Sequence, residues 1–180
     1  MALEHALLVA LREQPAAGLE LSRRFDRSIG FFWSATHQQI YRVLARMDAD
    51  GWVRAETHPQ ADRPAKKVYA VTDAGARVLA DWLATPADIE PLRSELTVKM
   101  RGASYGDRET LLGHLRSTLA DHEARLSHFR HLLKRDYPEP AALTGPDLDQ
   151  YLVLKGGVRL EEFWIDFLTD YLTAHERAHR

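Results

Sequence analysis

The last residues of the chain include two histidines and a glutamate at the spacing of a known zinc-binding motif. His175, Glu176 and His179 fit the H-E-x-x-H motif, in which two histidines one helical turn apart hold the metal and the glutamate acts as a base. The motif falls in the final six residues, where a helix frays, and we expect no third ligand after it. Because a catalytic zinc needs three protein ligands in a walled cleft, we predict a chance match and no zinc enzyme.

The remaining reactive side chains are also poorly arranged for catalysis. The chain has no cysteine, which excludes a disulfide framework, a thiolate metal site and a cysteine nucleophile. Gly156-Gly157 lacks the strand-to-helix context of a nucleotide-binding loop. Four histidines of one long predicted helix have spacings that do not place them all on one face, and we expect most of them at the surface: His114, His122, His128 and His131. The sequence therefore predicts no metal site, no cofactor and no enzyme.

Residues 34–51 contain polar side chains that share one face of a predicted helix. Four apolar residues recur at helical spacing and predict a buried stripe: Ile40, Val43, Leu44 and Met47. The opposite face then carries His37, Gln38, Gln39 and Arg42. Glutamine can pair with adenine N6 and N7, and arginine with guanine O6 and N7. With Thr36 at the helix start to contact a phosphate, these residues suit a helix that reads the major groove of DNA, and they suit an ordinary solvated polar face equally well.

The elements around this helix predict the domain that would hold it. Apolar spacing predicts two earlier helices, over 2–13 and 17–28, and Ser34 or Thr36 caps the third helix, which ends at Gly51. Strands are then predicted over 52–57 and 66–71 around a loop at 58–65, and Thr72-Asp73 caps a fourth helix to about residue 84. Three short helices followed by a hairpin are the order of a winged helix-turn-helix.

Basic residues follow the same part of the chain. Residues 23–67 hold nine basic and five acidic side chains, although the whole chain has a net charge of −2. We predict Arg63, at the tip of the hairpin, in the minor groove, and Lys66 and Lys67 on phosphates. The other arginines are expected to be solvated or paired. Arg23, Arg24 and Arg27 are assigned to solvent, with phosphate contact as the less favoured alternative, and Arg46 and Arg54 to ion pairs with Asp48, Asp50 or Glu56.

The second half of the chain predicts a long helical hairpin. Pro86 and Pro91 bracket a linker, and helices are expected over 92–101, 107–136 and 145–176. Two helices of about 30 residues would each be about 45 Å long and could not enclose a core alone. We therefore predict a mostly α-helical chain with a winged helix-turn-helix domain at 1–85. An α-helical dimerisation domain at 86–180 would pack against the same hairpin of a second chain.

Several motifs resemble the PadR-like family of bacterial transcriptional regulators, in particular its AphA-type subgroup with a long two-helix C-terminal domain. The recognition-helix pattern is similar in Ile40-Tyr41, Leu44, Met47 and Gly51-Trp52-Val53. The wing is similar in Arg63-Pro64-Ala65-Lys66-Lys67-Val68-Tyr69, and Leu19-Glu20-Leu21 is similar to the opening of the second helix. Thr36-His37-Gln38-Gln39 stands where the family commonly has Ser-Pro-Gly-Ser, which puts the operator sequence, but not the docking mode, in question.

The resemblance implies a homodimeric DNA-binding regulator, which we expect to be a repressor acting on a palindromic double-stranded operator in the cytoplasm. It also implies that Tyr41 contacts a phosphate. Some members bind small aromatic effectors between the two domains, and the chain has aromatics that could line such a pocket: Trp33, Trp82, Phe163, Trp164 and Phe167. Packing in the core or the dimer is the favoured role of these aromatics.

Two other observations bear on the class of protein. No run of about 18 apolar residues is present for a membrane span, and Glu4 precedes any basic residue, so neither a membrane partner nor a signal peptide is predicted. The alternative to a regulator is a winged-helix adaptor that binds proteins and not DNA. Gln38, Gln39 and the basic wing argue against it, because an adaptor would expose apolar anchors there.

Overall fold

The computed structural model describes residues 2–26, 35–58, 66–87 and 94–178. The chain divides into two compact units, Met1–Ile89 and Glu90–Arg180. The first unit contains, in order, α1 (Ala2–Glu13), β1 (Ala16–Ala17), α2 (Gly18–Asp26), α3 (His37–Ala49), β2 (Val53–His58), β3 (Lys66–Val71) and α4 (Asp73–Leu83). The winged helix-turn-helix prediction is confirmed. The predicted end of the second helix and the tip of the hairpin lie outside the described residues.

The core of the first unit lies between its helices and the sheet. α1, α2 and α3 contribute fully buried side chains, and they form one cluster: Leu7, Leu8, Leu21, Ile40, Leu44 and Met47. Val53 of β2 and Leu79 of α4 belong to the same cluster. Each such side chain contributes about 1.5–3 kcal/mol by leaving water. The apolar stripe predicted for α3 is therefore the surface that fixes this helix to the domain.

A three-stranded antiparallel sheet supports the hairpin. The strand order is β1-β3-β2, with Ala16 opposite Tyr69 and Val53 opposite Val71. The short strand β1 was not predicted, because two alanines carry no alternation of apolar and polar residues. Its pairing makes β3 the central strand and ties the base of the hairpin to the chain that leads into α2.

The turn after α3 depends on Gly51, and the packing of α4 against that turn depends on Gly75. Gly51 has φ of +72°, a left-handed conformation that glycine adopts at little cost. Gly75 lies in the first turn of α4, where an added Cβ would overlap the backbone carbonyl oxygen of Trp52. The Thr72 hydroxyl donates to the Gly51 carbonyl at 2.6 Å, which fixes the start of α4 on the same turn. Close approach of α4 thus depends on the missing side chain at position 75.

The second unit is a helical hairpin with a short preceding helix. It contains α5 (Glu95–Arg101), a 3₁₀ turn (Ala103–Tyr105), α6 (Arg108–Asp136), a second 3₁₀ turn (Pro140–Ala142) and α7 (Gly145–Arg177). Ser94 and Asp107 cap α5 and α6 through their side chains. The Thr110 hydroxyl and backbone N–H hold the pKa of the Asp107 carboxyl below its usual value. A small core joins the three helices through Met100, Leu112, Leu115, Leu168 and Leu172.

A histidine–glutamate pair is buried between the two long helices of the second unit. His122 of α6 and Glu161 of α7 are both buried, with Nδ1 and Oε2 2.5 Å apart. Arg125 donates to the other oxygen of Glu161 at 3.2 Å. His122 is thus an exception to the expected surface location of these histidines. In the described part of the chain, no helix combines the length and apolar character needed to cross a membrane.

Candidate nucleic-acid interface

The third helix presents two chemically different faces. Ile40, Val43, Leu44 and Met47 are buried, whereas the polar residues of the other face are exposed: His37, Gln38, Gln39 and Arg42. Arg42 makes no ion pair with any described residue, and its guanidinium keeps its five donors for an outside partner. The core anchors one side of α3 and leaves the opposite side as an exposed row of hydrogen-bonding groups.

A capping box fixes the start of this helix. The Thr36 hydroxyl accepts from the backbone N–H of Gln39 at 3.2 Å, and the side-chain oxygen of Gln39 accepts from the backbone N–H of Thr36 at 2.8 Å. Thr36 is therefore the N-cap of the two predicted alternatives. Because its side-chain oxygen is engaged, Gln39 could pair with both N6 and N7 of an adenine only by opening the box. Gln38 has no such engagement in the described part of the structure.

Tyr41 lies on the exposed side of α3 and packs on α2. Its ring covers Gly18, the first residue of α2, where an added Cβ would overlap the ring. The side chain remains 45% exposed. Gly18 thus sets how closely the phenol can lie against α2, which the sequence pattern did not reveal.

The two lysines of the hairpin are held by acidic side chains. Lys66 Nζ donates to Glu20 Oε2 of α2 at 2.9 Å, and Lys67 Nζ donates to Asp48 Oδ2 of α3 at 3.3 Å. The hydrogen bond from Lys66 lowers the pKa of the Glu20 carboxyl, and the bond to Asp48 raises the pKa of the Lys67 amine. Asp48 also accepts from the Ala55 backbone N–H at 3.3 Å. These contacts join the hairpin to α2 and α3.

The arginines of the first unit differ in the contacts that they make with the rest of the protein. The prediction for Arg46 was wrong, because it pairs with the buried Glu4 of α1, which is remote in sequence. Arg24 is not simply solvated, since its guanidinium donates to the carbonyls of Ala10 and Gln14 at the end of α1. The predicted pairing of Arg54 with Glu56 is confirmed, at 2.7 Å.

The aromatics predicted for an effector pocket belong to different units. Trp82 stacks on His5 in the first unit, with ring centroids 4.5 Å apart. Phe163, Trp164 and Phe167 form a cluster on α7, with centroids 5.5–6.1 Å apart. Trp33 and Arg63 lie outside the described residues. The structure therefore brings three of the five predicted aromatics together.

The zinc-like motif gains no support from the structure. His175 lies near the end of α7 with its ring 4.5 Å from that of Tyr171, and His179 falls outside the described residues. Among the residues that the structure describes, no group of three histidines or carboxylates could hold a metal.

Comparison with known proteins agrees with this architecture. Residues 7–81 match the transcriptional regulator PadR-like family, and residues 92–176 match the family described as virulence activator alpha C-term. A probable transcriptional regulator of Mycobacterium tuberculosis is 47% identical over 186 residues, which cover 97% of both chains. The negative transcriptional regulator PadR of Bacillus subtilis is 30% identical over 173 residues, which cover 94% of this chain and 95% of that protein.

Solved structures show the same fold over nearly the whole chain. Bacillus subtilis PadR in complex with operator DNA has a TM-score of 0.84 at 28% identity, with 97% of this chain and 99% of that chain covered. PadR in complex with p-coumaric acid has a TM-score of 0.77 at 28% identity, covering 97% and 98%. The Vibrio cholerae virulence activator AphA has a TM-score of 0.78 at 26% identity, covering 98% and 99%. The chain belongs to the PadR-like family of transcriptional regulators, which are not enzymes.

Proposed function

We propose that the protein is a sequence-specific repressor that binds a roughly palindromic DNA operator as a homodimer. The observation that carries the proposal is the outer face of α3, where Gln38 and Arg42 are exposed opposite a fully buried stripe. The size of a helix suits the major groove, and these two side chains suit purine edges. A relative of known structure, Bacillus subtilis PadR, was solved on operator DNA.

The exposed residues divide into base-reading and phosphate-binding groups. Arg42, Gln38 and His37 are assigned to base edges, and Gln39 to a single donor contact because its oxygen caps the helix. Phosphate contacts are assigned to Tyr41, Thr36, Lys66 and Lys67. Arg63 is assigned to the minor groove from its sequence position alone.

An apolar stripe on α7 supports the homodimer. Leu152, Leu160 and Phe163 are each about half exposed, at 52%, 51% and 54%, and they share one helix face with Gly156. The buried face of α7 is opposite and is already used in the hairpin with α6. Contiguous exposed apolar residues mark interaction surfaces, and a second copy offers the same stripe for a symmetric interface. A dimeric helix-turn-helix protein reads two half-sites one DNA turn apart, about 34–36 Å.

Repression is the direction of regulation favoured by the named relatives. The Bacillus subtilis relative is named a negative regulator and is 30% identical, whereas the AphA neighbour is named an activator and is 26% identical. As a regulator acting on DNA, the protein is assigned to the cytoplasm.

Three measurements on the purified full-length chain test this proposal. Light scattering at micromolar concentration should give a dimer. Fluorescence anisotropy should show binding to a duplex from the region upstream of its own gene, with random DNA of equal length bound more weakly. A reporter fused to that region should gain expression when the gene is deleted. A monomer without any DNA binding would favour the adaptor, and a loss of expression would favour an activator.

A small aromatic effector is a second proposal. It is favoured by the p-coumaric acid complex of PadR and by the aromatic cluster on α7, in which Trp164 also stacks on His122 with centroids 5.7 Å apart. Titration with p-coumaric acid should quench tryptophan fluorescence and release the labelled operator. If the acid produces neither effect, it is not the effector of this chain.

A further inference from the structure

The lysines assigned to phosphates are not free cations in the protein without DNA. Lys66 is paired with Glu20 across 46 positions of sequence, and Lys67 with Asp48 across 19. All four side chains are accessible, with 31–52% of each exposed. A phosphate that approaches either amine therefore meets an amine that already has a carboxylate partner.

An ion pair of this kind lowers the affinity for DNA that a lysine contributes by contacting a phosphate. A lysine that neutralises a phosphate releases a counterion from the DNA, which is the main source of affinity for DNA of any sequence. A lysine in an ion pair must first give up its carboxylate, and the carboxylate then lies close to the DNA and repels it. For an exposed pair, the lost interaction amounts to a factor of up to about five in the equilibrium constant.

We infer that Glu20 and Asp48 act as internal counter-ions that compete with DNA phosphates for Lys66 and Lys67. This inference rests on the proposed function. The effect is a lower affinity for DNA of every sequence, by the same factor on operator and on random DNA, because the lysines contact the backbone and not the bases. The protein then depends on the base contacts of α3 and on dimerisation to hold a site.

The two pairs differ in what else the carboxylate does. Asp48 also accepts from the Ala55 backbone N–H, so its removal would loosen the hairpin as well. Glu20 lies in the first turn of α2 and is half exposed, and its carboxylate pairs with Lys66. The charge of Arg24 and a hydrogen bond with the Ala17 backbone act on it more weakly, and a glutamine at position 20 can still accept the Ala17 bond. The Glu20–Lys66 pair is therefore the cleaner one to test.

The test is a double-mutant cycle on the full-length dimer. Affinities for an operator duplex and a random duplex are measured by anisotropy for the wild type, Glu20→Gln, Lys66→Ala and the double variant. Asp50→Asn is the matched control, because Asp50 is an exposed acid near the end of α3 without an ion pair among the described residues. Thermal melts of all variants check that the fold is unchanged.

The inference predicts that Glu20→Gln tightens binding to both duplexes by about two- to fivefold. The slope of log affinity against log salt should steepen by up to about one per subunit. In the Lys66→Ala background the same substitution should give a smaller gain, because only the repulsion between the carboxylate and DNA is left to remove, and Asp50→Asn should have no effect in the wild type.

Several outcomes would overturn the inference while leaving the proposed function intact. They are an equal gain with and without Lys66, an equal gain from Asp50→Asn, no gain, or a loss of affinity that assigns Glu20 to positioning Lys66. No change with Lys66→Ala alone would also overturn it, because that lysine would then not contact phosphate. Absence of any DNA binding by the wild type would overturn the proposed function together with the inference.

Discussion

α3 and α7 are both amphipathic helices that bury one apolar face in their own unit, and they differ in the face that is left. On α3 the outward face carries Gln38 and Arg42, whereas on α7 it carries Leu160 and Phe163. The inward faces fix each helix to its own unit, with apolar side chains alone on α3 and with apolar side chains and Glu161 on α7. The outward faces determine the partner: hydrogen-bonding side chains suit base edges, and apolar side chains suit another apolar stripe.

The largest expected effect comes from the support beneath α3. Gly75→Ala would place a Cβ on the Trp52 carbonyl oxygen, so α4 must move from the turn that ends α3. We expect a loss of about 3 kcal/mol in the free energy of unfolding, measured by urea denaturation. Gly113→Ala, in α6 where a Cβ meets nothing within 4 Å, should instead stabilise by about 0.5–1 kcal/mol. A cost below about 1 kcal/mol at position 75 would show that α4 does not depend on this close approach.

The role of the outward face of α7 in dimerisation is tested by replacing two of its apolar side chains with glutamate. Leu160→Glu combined with Phe163→Glu should give a monomer by light scattering and lower operator affinity by about a hundredfold, because the two half-sites are then bound independently. Val98→Glu is the control, since Val98 is exposed but lies on α5. A dimer that survives the double substitution would assign the interface to another surface.

The outward face of α3 is tested by removing its arginine. Arg42→Ala should lower operator affinity by about tenfold or more and leave random DNA almost unchanged, because a bidentate base contact discriminates by about 1–3 kcal/mol. Arg12→Ala, an exposed arginine in the last turn of α1, should change neither affinity. Equal losses on operator and random DNA would move Arg42 to the phosphate-binding group.

The smallest effect is expected at Lys66, the first residue of β3, which lies opposite the last residue of β2. Lys66→Ala should weaken operator and random DNA alike by a few-fold and reduce the salt slope by about one. Competition assays at two salt concentrations measure both quantities. A change confined to the operator would show that Lys66 reads sequence, which would remove the division between base and backbone contacts.

Local sequence patterns predicted the elements but not the long-range contacts that hold them. A cap at Ser34 or Thr36, the stripe of α3 and the whole of β3 follow from spacing and propensity within a few residues, and the structure selects Thr36 as the cap. The strand Ala16–Ala17 has no such pattern, since it exists only because β3 lies beside it. The predicted exposure of the polar face of α3 could be read from the buried stripe alone.

The partners of the basic residues could not be predicted in this way. Arg46 was expected to pair with a neighbour in sequence, but Glu4 lies closer in space because α1 packs on α3. Glu20 and its partner Lys66 are 46 positions apart in sequence, so no local pattern joins them. Charge counts along the chain therefore overestimate how many cations stand free for DNA.

Hydroxyl-radical footprinting on the upstream region shows whether a dimer reads DNA through α3. Such a dimer should give two protected patches, separated by one turn of about 10–10.5 base pairs, over a roughly palindromic sequence. The patches should disappear together in the Leu160→Glu and Phe163→Glu variant. A single protected patch, or uniform protection without sequence preference, would contradict a dimer that reads DNA through α3.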